Sequence, residues 1–345
     1  MSIIHKDIIK EKFRRQVRKM KEDIQSQYNI MLGREWKYFG YRSFDTQEGP
    51  VTIVPGHHLT EEEALEQRSL CEFLHANQWT YSTFPLFTKN GDMKATINGR
   101  DYMLVRTGMT LPKDSAHGTL LAQYHHLGSQ YPYQPQHISR YGQWKALWEE
   151  KIDAWTNVYK REWGAHPASS FQRLFIETYP YLEGVMENAI QYLQESEQDW
   201  RYGEYDQGAF TAQRLLPKNL QQTIWSHTMV YDHPARDIAE WIRATLFEKQ
   251  ENGFQEVRTF MEGYEQQRPL SAFGWRLVYA RLILPVHLLD QLDYCFHQDQ
   301  VPNNRAEYML KQELTNQVVY YRLLQRFFDE VQLDAKRLHI PVLDW

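Results

Sequence analysis

Tyr231-Asp232-His233-Pro234-Ala235-Arg236-Asp237-Ile238-Ala239-Glu240-Trp241-Ile242-Arg243 is the stretch on which the fold turns. Upstream of it, Thr223–Tyr231 is strand-like, and Met229-Val230-Tyr231-Asp232 reads as a short apolar strand ending in a carboxylate. Pro234 then leads a helix over 234–250, because its fixed φ suits a first helical turn and its missing N–H costs nothing there. Asp232 can therefore be a carboxylate presented at a strand end or a cap on the helix that follows. Both uses stay open.

Outward from this stretch, nearly everything after residue 108 reads as helix. The candidates are 115–127, 143–160, 169–196, 234–250, 254–266, 273–296 and 305–332, with strand-like pieces only at Phe210–Leu216 and Thr223–Tyr231. The earlier part is different. Trp36–Phe44 alternates aromatic and polar residues, Asp45–Gly49 is a turn, and Val51–Val54 is β-branched. Thr60 with Glu63 forms a capping-box signature that opens a helix. Phe84–Thr88 and Met93–Ile97 flank Asn90-Gly91 as a predicted hairpin, and Asn98-Gly99 turns into Tyr102–Val105.

The pattern predicts an α+β chain of two lobes: a β-rich lobe over 33–107 and a helical lobe over 108–345, jointed at Arg106-Thr107-Gly108. Ahead of them, 1–32 is a separate segment carrying an amphipathic helix at 3–31. That helix has an apolar side of Ile9, Phe13, Val17, Met20, Ile24 and Tyr28 and a basic side that includes Lys10, Arg14 and Arg18. A docked helix with solvated charges and a peripheral contact with an anionic surface are both compatible with it.

Bulk properties narrow the function. Net charge is −5 over 345 residues, which gives no electrostatic basis for a nucleic-acid partner. Cys71 and Cys295 lie far apart in helical patterns and read as reduced, buried thiols. The opening residues lack an apolar signal core and no run approaches the length of a membrane span, so cytoplasmic synthesis without an anchor is expected. Aromatics reach 14%, with 11 Trp and 22 Tyr, a payload for a core or for protein interfaces.

Several stretches carry a family resemblance. Leu121-Ala122-Gln123-Tyr124-His125 resembles the helix after the hinge in aminoglycoside-phosphotransferase-like enzymes. Gly142-Gln143-Trp144, with Trp148 beyond it, is similar to a segment of the spore-coat branch of that superfamily. The 231–243 stretch resembles the signature of YutH-type spore coat proteins, relatives of CotS, and Trp275–Leu282 fits the same group. The resemblance implies a protein-kinase-like fold of two lobes, a place in the bacterial spore coat and other coat proteins as partners. It also gives Asp237, with Arg236 and Trp241, a structural role: in the superfamily this aspartate holds the catalytic loop through backbone hydrogen bonds.

Phosphoryl transfer needs a lysine on the phosphates, an aspartate beside the attacking hydroxyl and magnesium ligands. The glycine turn expected between the first two strands is taken as Phe44-Asp45-Thr46-Gln47-Glu48-Gly49, which keeps one glycine and adds two carboxylates. The next strand, Val51-Thr52-Ile53-Val54-Pro55, has no lysine; Lys37 on the preceding strand is a substitute or simply a solvent-facing residue. Glu63 and Glu66 are the helix carboxylates that would pair with such a lysine. The loop from Asp206 to Leu215, with Gly208, Thr211 and Gln213, lacks the D-x-x-x-x-N spacing, which recurs only at Asp299 and Asn304, and by coincidence. No catalytic residue is expected there. Asp232 is the one candidate for magnesium.

These absences lead to the expectation of a spore-coat pseudokinase with no cofactor. The alternative is an active small-molecule phosphotransferase, of aminoglycoside- or choline-kinase-like type, using Mg-ATP through Lys37 and Asp232.

Overall fold

A computed structural model describes residues 19–112, 116–165, 169–297 and 301–344. The chain forms two compact units. The first takes in the described residues up to 112 together with Tyr131–Ser139 and Lys218–Val230; the second takes in the remainder. Tyr131–Ser139 and Lys218–Val230 thus cluster with the first unit. Lys10, Arg14, Arg18 and most of the basic helix expected at 3–31 lie outside the described residues; 19–28 is helical (α1).

In the first unit, the sheet strands run β1 (Glu35–Tyr38), β2 (Tyr41–Phe44), β3 (Val51–Pro55), β4 (Phe84–Pro85), β5 (Ala95–Ile97) and β6 (Arg100–Arg106). Their spatial order is β1-β2-β3-β6-β4, with β5 also paired to β6, and every pairing is antiparallel. β3 is the central strand because four of its β-branched or apolar side chains are buried, on both faces of the sheet. α1 lays Ile24 and Tyr28 on this sheet beside Phe44, Val51 and Leu104, and the Leu104 N–H donates to the Tyr28 hydroxyl (3.2 Å).

Two strand expectations change. Trp36–Phe44 is not one strand: Phe39 and Gly40 turn it back on itself, pairing Tyr38 with Tyr41. Both turn residues have positive φ (46° and 92°), the requirement of the two-residue hairpin whose twist matches its strands. The turn between the first two strands is therefore Phe39-Gly40, and Asp45–Gly49 joins β2 to β3. Second, Asn90-Gly91 does not make the hairpin. Asn98-Gly99 does, at φ 52° and 75°, setting Ile97 opposite Arg100, while Phe84 pairs with Arg106.

α2 (Glu61–Ala76) begins with the expected capping box: the Glu63 N–H donates to Thr60 Oγ1 (3.1 Å) and the Thr60 N–H to Glu63 Oε2 (2.9 Å).

The second unit holds α3 (His117–Ser129), α4 (Trp144–Gly164), α5 (Ser170–Glu197), α6 (Ala235–Lys249), α7 (Phe254–Glu265), α8 (Ala272–Ile283), α9 (Val286–His297), α10 (Asn303–Gln325) and α11 (Phe327–Glu330). β7 (Ala209–Ala212) pairs with β8 (Met229–Asp232) in a two-stranded sheet. α3 crosses α7 at Gly118, where any Cβ would collide with the Phe260 carbonyl oxygen.

The helix expected over 273–296 is two helices, because Pro285 forces Leu284 into an extended conformation (ψ 123°). Likewise 305–332 divides at Arg326. The span Ala272–Phe296 is apolar enough in composition to cross a bilayer, yet 83% of its apolar window is buried inside the protein, as in core helices. Cys71 is buried as expected, whereas Cys295 is half-exposed.

Candidate functional site

Where β8 ends, the fully buried Asp232 carboxylate is surrounded by donors. The Trp144 indole N–H lies 2.9 and 2.8 Å from its two oxygens, the His233 N–H reaches Oδ1 at 2.7 Å, and Arg236 Nε reaches Oδ2 at 2.5 Å. Arg281 stacks over the Trp144 ring at 5.1 Å. Asp232 does not cap α6. That part falls to the His233 ring, whose Nδ1 accepts the Ala235 N–H (3.0 Å).

Because Nδ1 is an acceptor, the His233 proton sits on Nε2, and this N–H points at Asp206 Oδ1 (3.2 Å). Asp206 is buried as well. Ser271 Oγ donates to Oδ1 (2.9 Å), the Gly203 N–H to Oδ2 (2.6 Å), and the Tyr141 hydroxyl to its backbone carbonyl (2.8 Å). Burial by itself would raise the Asp206 carboxyl, but hydrogen bonds from His233, Gly203 and Ser271 outweigh it and hold the group below the usual range. A general base needs an oxygen free to face a hydroxyl; both oxygens of Asp206 are engaged.

The other loop positions behave as packing. Gly208 admits the Tyr231 ring, which any Cβ would strike. Thr211 is fully buried within β7, and Gln213 has its side chain exposed while its carbonyl accepts from Arg236 Nη1 (3.4 Å).

Asp237, in the first turn of α6, takes the Ala212 N–H of β7 on both oxygens (3.0 and 3.2 Å), which ties the helix to the segment after Asp206. His125 bridges it, with Nε2 at 3.2 Å from Asp237 Oδ2 and Nδ1 at 2.9 Å from the Tyr264 hydroxyl. Burial disfavours charge on both partners. It pushes the Asp237 carboxyl up to about 8 against the pull of the Ala212 N–H and Arg236, and holds His125 well below its ordinary range. Burial thus favours the neutral form of both partners. Next to it, Trp241 stacks on Phe260 with ring centroids 3.9 Å apart. Glu240 lies buried among Arg243, Arg281 and Arg214, whose combined charge overcomes desolvation and keeps it ionised.

In the first unit, Lys37 is exposed on β1, opposite Arg42 on β2. β3 carries no ionisable side chain. Glu63 is committed to its capping box, and Glu66 accepts three successive backbone N–H groups, from Gln136 (2.7 Å), His137 (2.9 Å) and Ile138 (2.9 Å). Beside the Phe39-Gly40 turn, buried Trp225 packs with Val54, Met103 and Val105, its ring 4.6 Å from Tyr41 and 5.7 Å from Tyr38. No group of three or more metal-ligating side chains occurs among the described residues. Asp299 lies outside them, so its spacing to Asn304 is not described.

Sequence reasoning passed over three participants: the Trp144 indole, His233 and Trp225. The first two stand inside quoted motifs, so position drew attention to them although their partners are 88 and 27 residues away. Nothing in the local pattern around Trp225 signals its packing.

Residues 21–327 match the family described as "Spore coat putative kinase YutH". The chain is 29% identical over 336 residues to the endospore coat-associated protein YutH of Bacillus subtilis (strain 168), covering 94% of this chain and 98% of that protein. Among solved structures it resembles an aminoglycoside phosphotransferase from Alicyclobacillus acidocaldarius, with a TM-score of 0.61, 11% identity and coverage of 90% of this chain and 96% of that one. A spectinomycin phosphotransferase in complex with ADP and spectinomycin is also similar, at TM-score 0.56, 12% identity and coverage of 88% and 97%. At such identities these likenesses establish the fold: a small antiparallel-sheet unit and a mostly helical remainder, as in aminoglycoside-phosphotransferase-like kinases.

Proposed function

The chain belongs to the YutH spore coat family, and from that premise we propose that it is a non-catalytic, kinase-fold component of the bacterial spore coat, holding other coat proteins rather than transferring phosphate. The observation that carries this reading is the state of the two carboxylates best placed for chemistry. Asp206 and Asp232 are buried, and both oxygens of each already accept hydrogen bonds from protein donors. Magnesium binding at Asp232 requires displacing Arg236 and the Trp144 indole, which leaves a buried guanidinium unpaired at a cost of several kcal/mol.

Other features point the same way. β3 lacks the phosphate lysine, and the β1–β2 turn is two residues long with an aromatic at its first position. Of the two helix carboxylates that could pair with that lysine, Glu63 is held in its capping box and Glu66 by the 136–138 backbone. The relative from Bacillus subtilis is named as endospore coat-associated, which supports a coat location. We expect no nucleotide cofactor.

The test is thermal. A ligand bound only by the native state at a hundredfold its Kd stabilises by about 2.7 kcal/mol. We expect the melting temperature to stay unchanged at millimolar Mg-ATP, with no ADP released alone or with amine or sugar acceptors. A rise that Asp232→Asn removes sinks the reading in favour of an active phosphotransferase.

A further inference from the structure

We propose that a pair of adjoining cavities on the second unit docks a lysine side chain presented by a partner polypeptide. One cavity, about 140 Å³, has walls of Tyr141, Trp144, Leu193, Phe273 and Leu277. The other, about 450 Å³, shares Tyr141, Glu197 and Phe273 with it and adds Asp199, Tyr202 and Asp206. Four carboxylates line the two cavities and no lysine or arginine does.

Three of those carboxylates are spoken for: Asp232 and Asp206 as described, and Asp199 by Arg201 and Arg276. Glu197 is not. It is exposed and makes no hydrogen bond or ion pair within the described residues. It is also the last residue of α5, whose final turn contains no basic side chain, so the negative end of the helix dipole adds to its charge. An unpaired carboxylate lining both hollows, beside aromatic and aliphatic walls, suits a compact ammonium on an apolar stem. The methylenes lie along the ring faces and the head meets the acid.

The rim argues for a polypeptide rather than a free amine. Trp200 is 84% exposed and Tyr202 60% exposed on the short loop after α5. That loop is held in place: Arg201 grips Asp199 and the Leu338 carbonyl, and the Gly203 N–H is tied to Asp206. Large aromatics kept in water on a fixed loop are what a protein partner covers. A small amine inside the cavity leaves Trp200 untouched. The inference rests on the coat-docking reading only in taking the partner to be protein.

The probe is a fluorescein-labelled Ser-Leu-Lys-Leu-Ser amide, titrated by anisotropy with the full chain against a twin in which norleucine replaces lysine. We expect the lysine peptide to bind and the norleucine twin to bind at least tenfold more weakly, the loss of one charge-assisted contact. Glu197→Gln should weaken the lysine peptide by a similar factor. Trp200→Ala should weaken the peptide while leaving the affinity for n-butylammonium, measured by calorimetry, unchanged. Equal binding of the two peptides overturns the proposal. So does indifference of the peptide to Trp200→Ala, which would make this a free-amine site. No peptide binding together with no Mg-ATP response sinks this inference alone and leaves the non-catalytic reading intact, whereas a Mg-ATP shift strikes that reading first.

Discussion

The first unit and the second differ in where their charged side chains stand. In the first unit β3 has no ionisable side chain, and Trp225 packs against Tyr41 and Tyr38 beside the β1–β2 turn. The second unit, by contrast, keeps carboxylates in number, but Asp206, Asp232, Asp237 and Glu240 are each buried and each held by named donors. The difference teaches that a charged side chain can be absent from a strand by substitution or present but engaged by internal pairing. Substitution shows in a sequence; pairing does not, because a paired aspartate and a free one are written with the same letter. Energetically the two also differ. A missing lysine costs the fold nothing, whereas a buried paired carboxylate becomes something the fold depends on.

The comparison breaks most sharply at Asp232. Asp232→Ala leaves Arg236 and the Trp144 indole buried without their acceptor, and we expect it to destabilise the protein by roughly 3–5 kcal/mol in denaturant melts. A loss below 1 kcal/mol would mean that the network is slack and the carboxylate free for other work. Glu66→Ala, in the first unit, orphans three backbone N–H groups that partly face water, for which about 1–3 kcal/mol is expected. Hydrogen exchange should accelerate at 136–138 before it does in the sheet.

Asp237 sharpens the contrast through pH. Its folded pKa of about 8 stands above the ordinary carboxylate value, so its neutral form is the one that the fold favours. The stabilising contribution is complete below about pH 4 and is lost as pH rises through about 8. Asp237→Asn keeps the shape without the titration. Its melting temperature should gain steadily on the wild type across that window, and parallel curves would mean that Asp237 stays ionised throughout. The smallest effect belongs to Lys37→Ala, expected within about 0.5 kcal/mol of wild type because the side chain is exposed.

Much of the architecture was legible in the chain itself. The 169–196 pattern gave α5 as one helix despite Pro180, and Thr60 with Glu63 gave the start of α2. Both Asn90-Gly91 and Asn98-Gly99 carry turn chemistry, but only the second joins paired strands, β5 and β6, because strand pairing is not a local property. Pro285 was a local signal outweighed by the apolar run around it. Of the site, the 231–243 stretch located Asp232, Arg236, Asp237 and Trp241, but not their partners.

What the sequence determined by itself is therefore the order of elements, the division into a β-rich and a helical part, and the absence of a lysine on β3. Helix bonds close over four residues and a missing side chain needs no partner to be noticed, so both are local facts. Only the tertiary structure decided that Asp232 meets Trp144 across 88 residues and that Asp206 meets Ser271 across 65. It alone also left Glu197 unpaired beside an aromatic hollow. Burial in a low-dielectric interior makes an unpaired polar group costly, and which partners come within reach is settled only when distant helices pack.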